Sequence, residues 1–312
     1  MRIAILGAGG VGGYYGGRLV EAGADVTFLV REARARLLAE RGLVIESPLG
    51  DARLAVKTAT SAESPFDLVI LTCKAYDLDA ALETIAGAVG PGTAILPLLN
   101  GVNHLDRLAL RFADATVLGG VAQISATLTE DGVIRHFGEL NRIVFGARDG
   151  AADEHLAALD AAFARTPVDA LLSHDIAQEL WDKFVFLATL AGTTALMRAS
   201  IGTVLATPAG EPLVLRLLAE CESVARAEGH VPASQKCADF RAELTRRGSP
   251  LKSSLLRDME RGGPTEGEHI LGDMLARAQR AGVDAPVLEI AATHVRAYEI
   301  ERSRNLLVEE RA

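Results

Sequence analysis

The chain has 312 residues, of which 49% are hydrophobic and 23% are charged. At roughly 150 residues per domain this is about two domains with a sizeable core, which excludes disordered, collagen-like and disulfide-scaffold classes. Asp and Glu number 41 against 32 Lys and Arg, a net charge of −9, so no general basic field exists to hold nucleic acid. In chain order, Arg2–Leu6 reads as a strand, Val11–Ala22 as a helix, Asp25–Val30 as a strand and Ala33–Arg41 as a helix. Leu43–Glu46 and Leu54–Thr58 flank a turn with Pro48, Gly50 and Asp51, which predicts a hairpin. Leu68–Cys73 is a fully apolar strand, Leu78–Val89 a helix, and Ala94–Leu98 a strand after the Pro91-Gly92 turn. Apolar strands alternating with helices predict a parallel sheet covered on both faces. Val117–Thr127, Val133–Phe137 and Ile143–Phe145 are further strands with hairpin-like spacing, in mixed or antiparallel pairing. Ala152–Arg165 is helical and Thr166-Pro167 breaks it. Everything beyond reads as helix, with segments at 174–196, 211–228, 234–246, 266–281 and 284–302. The expected organisation is an α/β domain over residues 1–166 and an all-α domain over residues 167–312.

The first strand runs into Gly7-Ala8-Gly9-Gly10-Val11-Gly12. Gly7, Gly9 and Gly12 match G-x-G-x-x-G in its required context, after a strand and opening a helix. Gly7 allows the tight turn, Gly9 lets a pyrophosphate approach the backbone, and Gly12 lets helix and strand pack closely. The helix N-terminus offers N–H groups to phosphate. At the end of the second strand, Arg31 stands where an NAD site would place an acid, and Glu32 is one step late. A cation there suits a 2′-phosphate, so the expected cofactor is NADP(H). Lys74 follows the strand Leu68–Cys73, and Asn100 with Gly101 follows Ala94–Leu98. Both lie at the carboxyl rim of the sheet, where ligands of doubly wound sheets sit.

Of the basic residues, 27 are Arg and five are Lys: Lys57, Lys74, Lys183, Lys236 and Lys252. A Lys can release a proton near neutral pH after a modest pKa shift and Arg cannot, so each Lys stands out. Lys183 begins a strongly apolar helix with Leu187 and Leu190 at i+4 and i+7 on its face. An end-of-helix Lys ordinarily snorkels. Desolvated, it becomes a usable general acid, kept protonated by a carboxylate such as Glu266. Lys252 adjoins Ser253 and Ser254, two hydroxyls able to hold a carboxylate or to cap a helix. Cys73, Cys221 and Cys237 are odd in number and lack CxxC spacing, and His104, His136 and His174 form no cluster, so neither disulfides nor a metal are expected. Only Ile3–Leu6 precedes the glycines, too short for a signal-peptide core. The apolar stretch Phe184–Leu196 contains Gly192, Thr193 and Thr194 and falls short of the roughly 20 residues of a spanning helix. The expectation is a cytoplasmic protein with no membrane partner.

Along essentially its whole length the chain resembles the ketopantoate reductase (2-dehydropantoate 2-reductase) family. The resemblance rests on the Gly7–Gly12 loop, Cys73-Lys74-Ala75, Asn100-Gly101, Glu179-Leu180-Trp181-Asp182-Lys183, Ser253-Ser254 with Asp258, and Pro264-Thr265-Glu266. It implies a Rossmann domain followed by a helical domain of the 6-phosphogluconate-dehydrogenase-like type. The implied activity is NADPH-dependent reduction of a small 2-oxo acid on the route to pantothenate and coenzyme A. It further implies Lys183 as general acid, Glu266 beside cofactor and Lys183, and Gly7, Ala8, Gly9, Gly10, Val11, Gly12, Arg31, Lys74 and Ala126 as cofactor contacts. Asn100 would touch cofactor and substrate, and Ser253 and Ser254 the substrate carboxylate. Leu187, Ala191, Ile201 and Leu271 depart from the resembled pattern, which commonly has Asn there. The lost hydrogen-bonding groups leave open a more apolar 2-oxo acid or related carbonyl substrate; a separate alternative is a non-catalytic NADP(H)-binding module, against which the retained Lys183 and Glu266 argue. The helical half carries apolar surface enough for a homodimer.

Overall fold

The structure, a computed structural model, describes residues 1–309. Two compact units divide at Glu179/Leu180. The first opens with β1 (Arg2–Leu6), α1 (Gly10–Glu21), β2 (Asp25–Leu29), α2 (Glu32–Arg41), β3 (Leu43–Glu46), β4 (Ala52–Leu54), β5 (Lys57–Ala59) and β6 (Leu68–Leu71). It continues with α3 (Leu78–Ile85), β7 (Ala94–Pro97), α4 (Asn103–Arg111), β8 (Thr116–Val117), β9 (Gly119–Leu128), β10 (Ile134–Gly146), α5 (Glu154–Phe163) and β11 (Asp169–Leu172).

Among the described residues, β5, β2, β1, β6, β7 and β8 form a six-stranded parallel sheet in that order. The chain lays strands outward from β1 on one side and then returns to β6 on the other. This is the doubly wound order whose switch point lies between β1 and β6. Alternation along β1 sends Ile3 and Ile5 to one core and Ala4 to the other. The Ala4 face is covered by α3 and α4 through Leu78, Leu82, Ile85 and Leu108.

A second, mixed sheet has the order β11-β10-β3-β4, with β9 antiparallel along β10. α1 lies between the two sheets. A Cβ at its Gly16 would fall 2.5 Å from Ile5 Cδ1 of the first sheet, and one at Gly17 would fall 2.6 Å from Ile45 Cδ1 of the second. Only a helix stripped of side chains at these positions fits that closely.

Three local expectations change. Leu54–Thr58 is two strands: β4 pairs β3 in the predicted hairpin, while β5 joins β2 in the other sheet. Val133–Phe137 and Ile143–Phe145 are one strand, β10, interrupted by a register shift between His136 and Asn141. The stretch after Pro167 is not all helix, because β11 pairs in parallel with β10. The α/β unit accordingly runs past Thr166 and ends in the first turn of the next helix.

The second unit is helical: α6 (Ile176–Met197, which begins in the first unit), α7 (Ile201–Leu205), α8 (Gly210–Ala227), α9 (Ser234–Leu244), α10 (Ser254–Glu260), α11 (Asp273–Ala281) and α12 (Pro286–Glu309). Gly192 of α6 lets Leu217 of α8 come within 2.8 Å of a Cβ position, with Ala291 of α12 and Leu271 at 3.5 Å. Buried Glu220 of α8 accepts the Val287 and Leu288 N–H groups, satisfying donors that the first turn of α12 cannot pair internally. Among the described residues no helix is long and apolar enough to cross a membrane.

Candidate active site

Each unit carries its own group of candidates. In the first, the parallel register of β1, β2, β6 and β7 brings their carboxyl ends to one edge. The glycine loop, Arg31, Lys74 and Asn100 all leave from that edge.

Gly7 holds φ +95°, a left-handed conformation that side chains disfavour, and its N–H donates to the Leu29 carbonyl at 3.0 Å. A Cβ at Gly12 would fall 2.3 Å from Thr72 Oγ1 and 2.4 Å from the Gly7 carbonyl oxygen. Thr72 is itself fixed by donating to the Leu6 carbonyl at 2.8 Å. A Cβ at Gly9, by contrast, would meet no atom within 4 Å. Gly12 is therefore demanded by packing, while Gly9 borders open space on the ligand side of the loop. That combination fits a dinucleotide pyrophosphate. Gly10 has a third reason: a Cβ there would fall 2.4 Å from the Ala126 carbonyl oxygen. Ala126, on β9, thus lies against the start of α1.

Arg31 is exposed and caps α2 with extended backbone, its carbonyl accepting the Arg34 and Ala35 N–H groups. Glu32, the acid nearest the position that would bind ribose hydroxyls, is held by Arg36 at 2.5 Å. Lys74 is half-buried and precedes a short 3₁₀ turn over Ala75–Asp77. Asn100 is half-buried, followed by Gly101 at φ +78°. Sequence reasoning passed over Arg34, whose guanidinium donates to the Ala8 carbonyl at 3.1 Å. The signal was a second Arg three residues after Arg31.

In the second unit the central pair is Lys183 and Glu266. Lys183 sits well inside α6, not at a helix start as expected, and Glu266 is buried at 5% exposure just before the π-helical turn Glu268–Gly272. The expected helix over 266–281 is thus a π turn followed by α11. The Ile270 N–H donates to the Glu266 carbonyl at 3.0 Å. Glu268 in that turn is gripped by both Nε and Nη2 of Arg296 at 2.8 and 2.6 Å. Desolvation pushes the Lys183 ammonium down to about 8, and the Glu266 carboxylate opposes the shift. Such a group is charged at neutral pH and able to give up its proton.

The two serines separate. Ser253 is buried, caps α10 by accepting the Leu256 N–H at 3.1 Å, and bonds Thr194 Oγ1 at 2.8 Å. Its hydroxyl is committed inside the protein. Ser254 is exposed. Lys252 reaches across α10 to Glu260 at 2.6 Å. Leu187 is half-buried, while Ala191, Ile201 and Leu271 are fully buried.

A doubly wound sheet with a glycine loop at its switch point, followed by a helical unit holding a half-buried Lys whose pKa desolvation lowers to about 8, fits an oxidoreductase of the dinucleotide-binding class. The sequence model of the family described as Ketopantoate reductase PanE/ApbA matches residues 3–150, and that of its C-terminal domain matches residues 175–299. The chain belongs to the ketopantoate reductase family. It is 39% identical to the uncharacterized oxidoreductase YkpB of Bacillus subtilis, over 97% of this chain and 100% of that protein. It is 30% identical to the 2-dehydropantoate 2-reductase of Halobacterium salinarum, over 95% and 98%. The crystal structure of 2-dehydropantoate 2-reductase from Geobacter metallireducens superposes with a TM-score of 0.86 at 32% identity, covering 95% of this chain and 99% of that one. That of the Methylococcus capsulatus 2-dehydropantoate 2-reductase gives 0.88 at 27% identity, covering 97% and 98%.

Proposed function

We propose that the chain catalyses NADPH-dependent reduction of a 2-oxo acid, with 2-dehydropantoate as the first candidate and pantoate as its product. The observation that carries this reading is Lys183, desolvated to a pKa of about 8 beside buried Glu266. NADPH, when bound, supplies the hydride to the carbonyl carbon. Lys183 Nζ stabilises the developing alkoxide and delivers its proton to that oxygen. Glu266 holds the ammonium protonated. The exposed Ser254 hydroxyl is left to receive the substrate carboxylate, Asn100 to orient cofactor and substrate, and Lys74 to contact the cofactor. The phosphates belong to the Gly7–Gly12 loop. Preference for NADP(H) is supported by exposed Arg31 and by the engagement of Glu32 with Arg36. We further propose that the enzyme acts in the cytoplasm as a homodimer.

A second reading, reduction of a more apolar 2-oxo acid, is favoured by Leu187 and Ala191, which follow Lys183 at i+4 and i+8 on α6. The deciding experiment is NADPH oxidation with 2-dehydropantoate and a panel of alkyl and aryl 2-oxo acids. The highest kcat/KM on 2-dehydropantoate supports the first reading, and the highest on an unhydroxylated acid supports the second. Turnover of none overturns both. K183A should lower kcat by roughly 10²–10⁴-fold, the contribution of a positioned acid, while NADPH titration changes little. Near-normal turnover in that variant removes Lys183 from the mechanism.

A further inference from the structure

Two arginines stand at the start of α2, Arg31 at its cap with extended backbone and Arg34 three residues on in the first turn. Among the described residues no carboxylate pairs with either, since Glu32 is taken by Arg36. Arg34 is half-buried and bonds only to backbone carbonyls: Nη2 to Ala8 at 3.1 Å and Nη1 to Gly132 at 3.0 Å. Its Nε is buried and has no hydrogen-bond partner. The position is closely built. Gly132, at φ +87° in the turn between β9 and β10, would place a Cβ 2.8 Å from Arg34 Nη1 and 2.5 Å from Leu37 Cδ2. The turn closes on the side chain because residue 132 has none.

A half-buried guanidinium without a counter-charge is costly to the protein on its own. Burial lowers its pKa from the ordinary arginine value, but a guanidinium stays protonated in proteins and cannot shed the charge. The arrangement becomes favourable when an anion arrives with a ligand. Arg34 is tied to Ala8, the second residue of the glycine loop, and stands three residues after Arg31 at the end of β2. That is the corner of a doubly wound sheet where the adenosine ribose is read.

We propose that Arg34 is a specificity-determining residue for the cofactor, completing with Arg31 a two-arginine site for the phosphate that distinguishes NADP(H) from NAD(H). The inference rests on the NADP(H) reading given above. Arg34 contributes a charge fixed by Ala8 and Gly132; exposed Arg31 contributes an unanchored fork.

The test is calorimetric titration of the wild type, R34Q and R34K with NADPH, NADH, 2′,5′-ADP and 5′-AMP, with a thermal melt of each. R34Q keeps a donor for the carbonyls and removes the charge. It should lose about tenfold or more in affinity for NADPH and 2′,5′-ADP, as expected for a charged hydrogen bond, while NADH and 5′-AMP change by less than about threefold. R34K should fall between wild type and R34Q, because its ammonium restores charge without the fork. If the four ligands weaken equally, or if the melt falls and the NADPH-to-NADH ratio is unchanged, Arg34 is only a structural pin and the proposal fails while the cofactor reading stands. A wild type that binds 2′,5′-ADP no better than 5′-AMP overturns both. Should R34Q not fold, R34K decides: an unchanged ratio overturns the proposal and a reduced one supports it.

Discussion

The ammonium of Lys183 and the carboxylate of Glu266 illustrate how opposing forces set one residue's chemistry. Burial disfavours the charged Lys and dominates; the carboxylate favours it and limits the fall to a pKa of about 8. Reduction needs the protonated form, so kcat/KM in that direction should be flat below pH 8 and fall about tenfold per pH unit above it. Oxidation of the alcohol needs the neutral amine and should rise over the same range. E266Q removes the favourable carboxylate, so the alkaline limb should move to lower pH, which a pH–rate profile of the variant checks directly. An unmoved limb would show that Glu266 does not act on Lys183. At the loop, G9A and G12A separate ligand space from packing space. G9A should keep its melting temperature and lose NADPH affinity, because its Cβ meets no protein atom. G12A should be destabilised by roughly 1–3 kcal/mol in denaturant unfolding, because its Cβ collides with Thr72 and Gly7.

Among the elements, those marked by their own apolar composition were legible and those that depend on a tertiary partner were not. β1, β6 and β7 are continuous apolar runs next to Gly or Pro punctuation, and their registers follow. β11, Asp169–Leu172, is four residues long like β6 and β7, but it opens on Asp just after the Thr166-Pro167 break, and its strand character comes from pairing with β10. α7 and α10 are short helices whose cue was the Ser cap before each, Ser200 and Ser253. At Ser253 the capping signal competed with a ligand reading, and burial decides for the cap. The end of α6 offers a prediction at this scale. Arg198 sits there at φ +52°, the left-handed turn where glycine usually stops a helix, and it is exposed. R198G should raise stability by about 0.5–1 kcal/mol, the left-handed penalty exceeding the added chain entropy of glycine. Denaturant melts with unchanged slope would report it.

For the molecule as a whole, the class was readable because each motif falls where one topology requires it. The glycine loop needs a preceding strand and a following helix, and Lys74 and Asn100 need strands ending at one rim; the parallel registers supply both. What stayed hidden were contacts made by backbone rather than by residue type. Gly10 lies against Ala126 and Arg34 between two carbonyls, and no spacing rule encodes either. Substrate identity turns on the opposite problem: Leu187, Ala191 and Leu271 are apolar where the resembled pattern commonly has Asn, and a missing polar group names no ligand by itself.

The glycine content of α1 carries a consequence for how the chain assembles. Five of its twelve residues are Gly, which together cost roughly 4–5 kcal/mol of helix propensity relative to Ala. A helix of that length is marginal even with good formers. α1 therefore has no means of nucleating early; it becomes helical when both sheets close around it. The glycine loop proposed to hold the phosphates is the N-terminal end of this same helix, so it takes shape among the last parts of the unit to order. On the proposed cofactor site, a half-assembled chain would not hold the dinucleotide. Cofactor capture during refolding should lag the growth of sheet structure, and added cofactor should stabilise the unit as a single block.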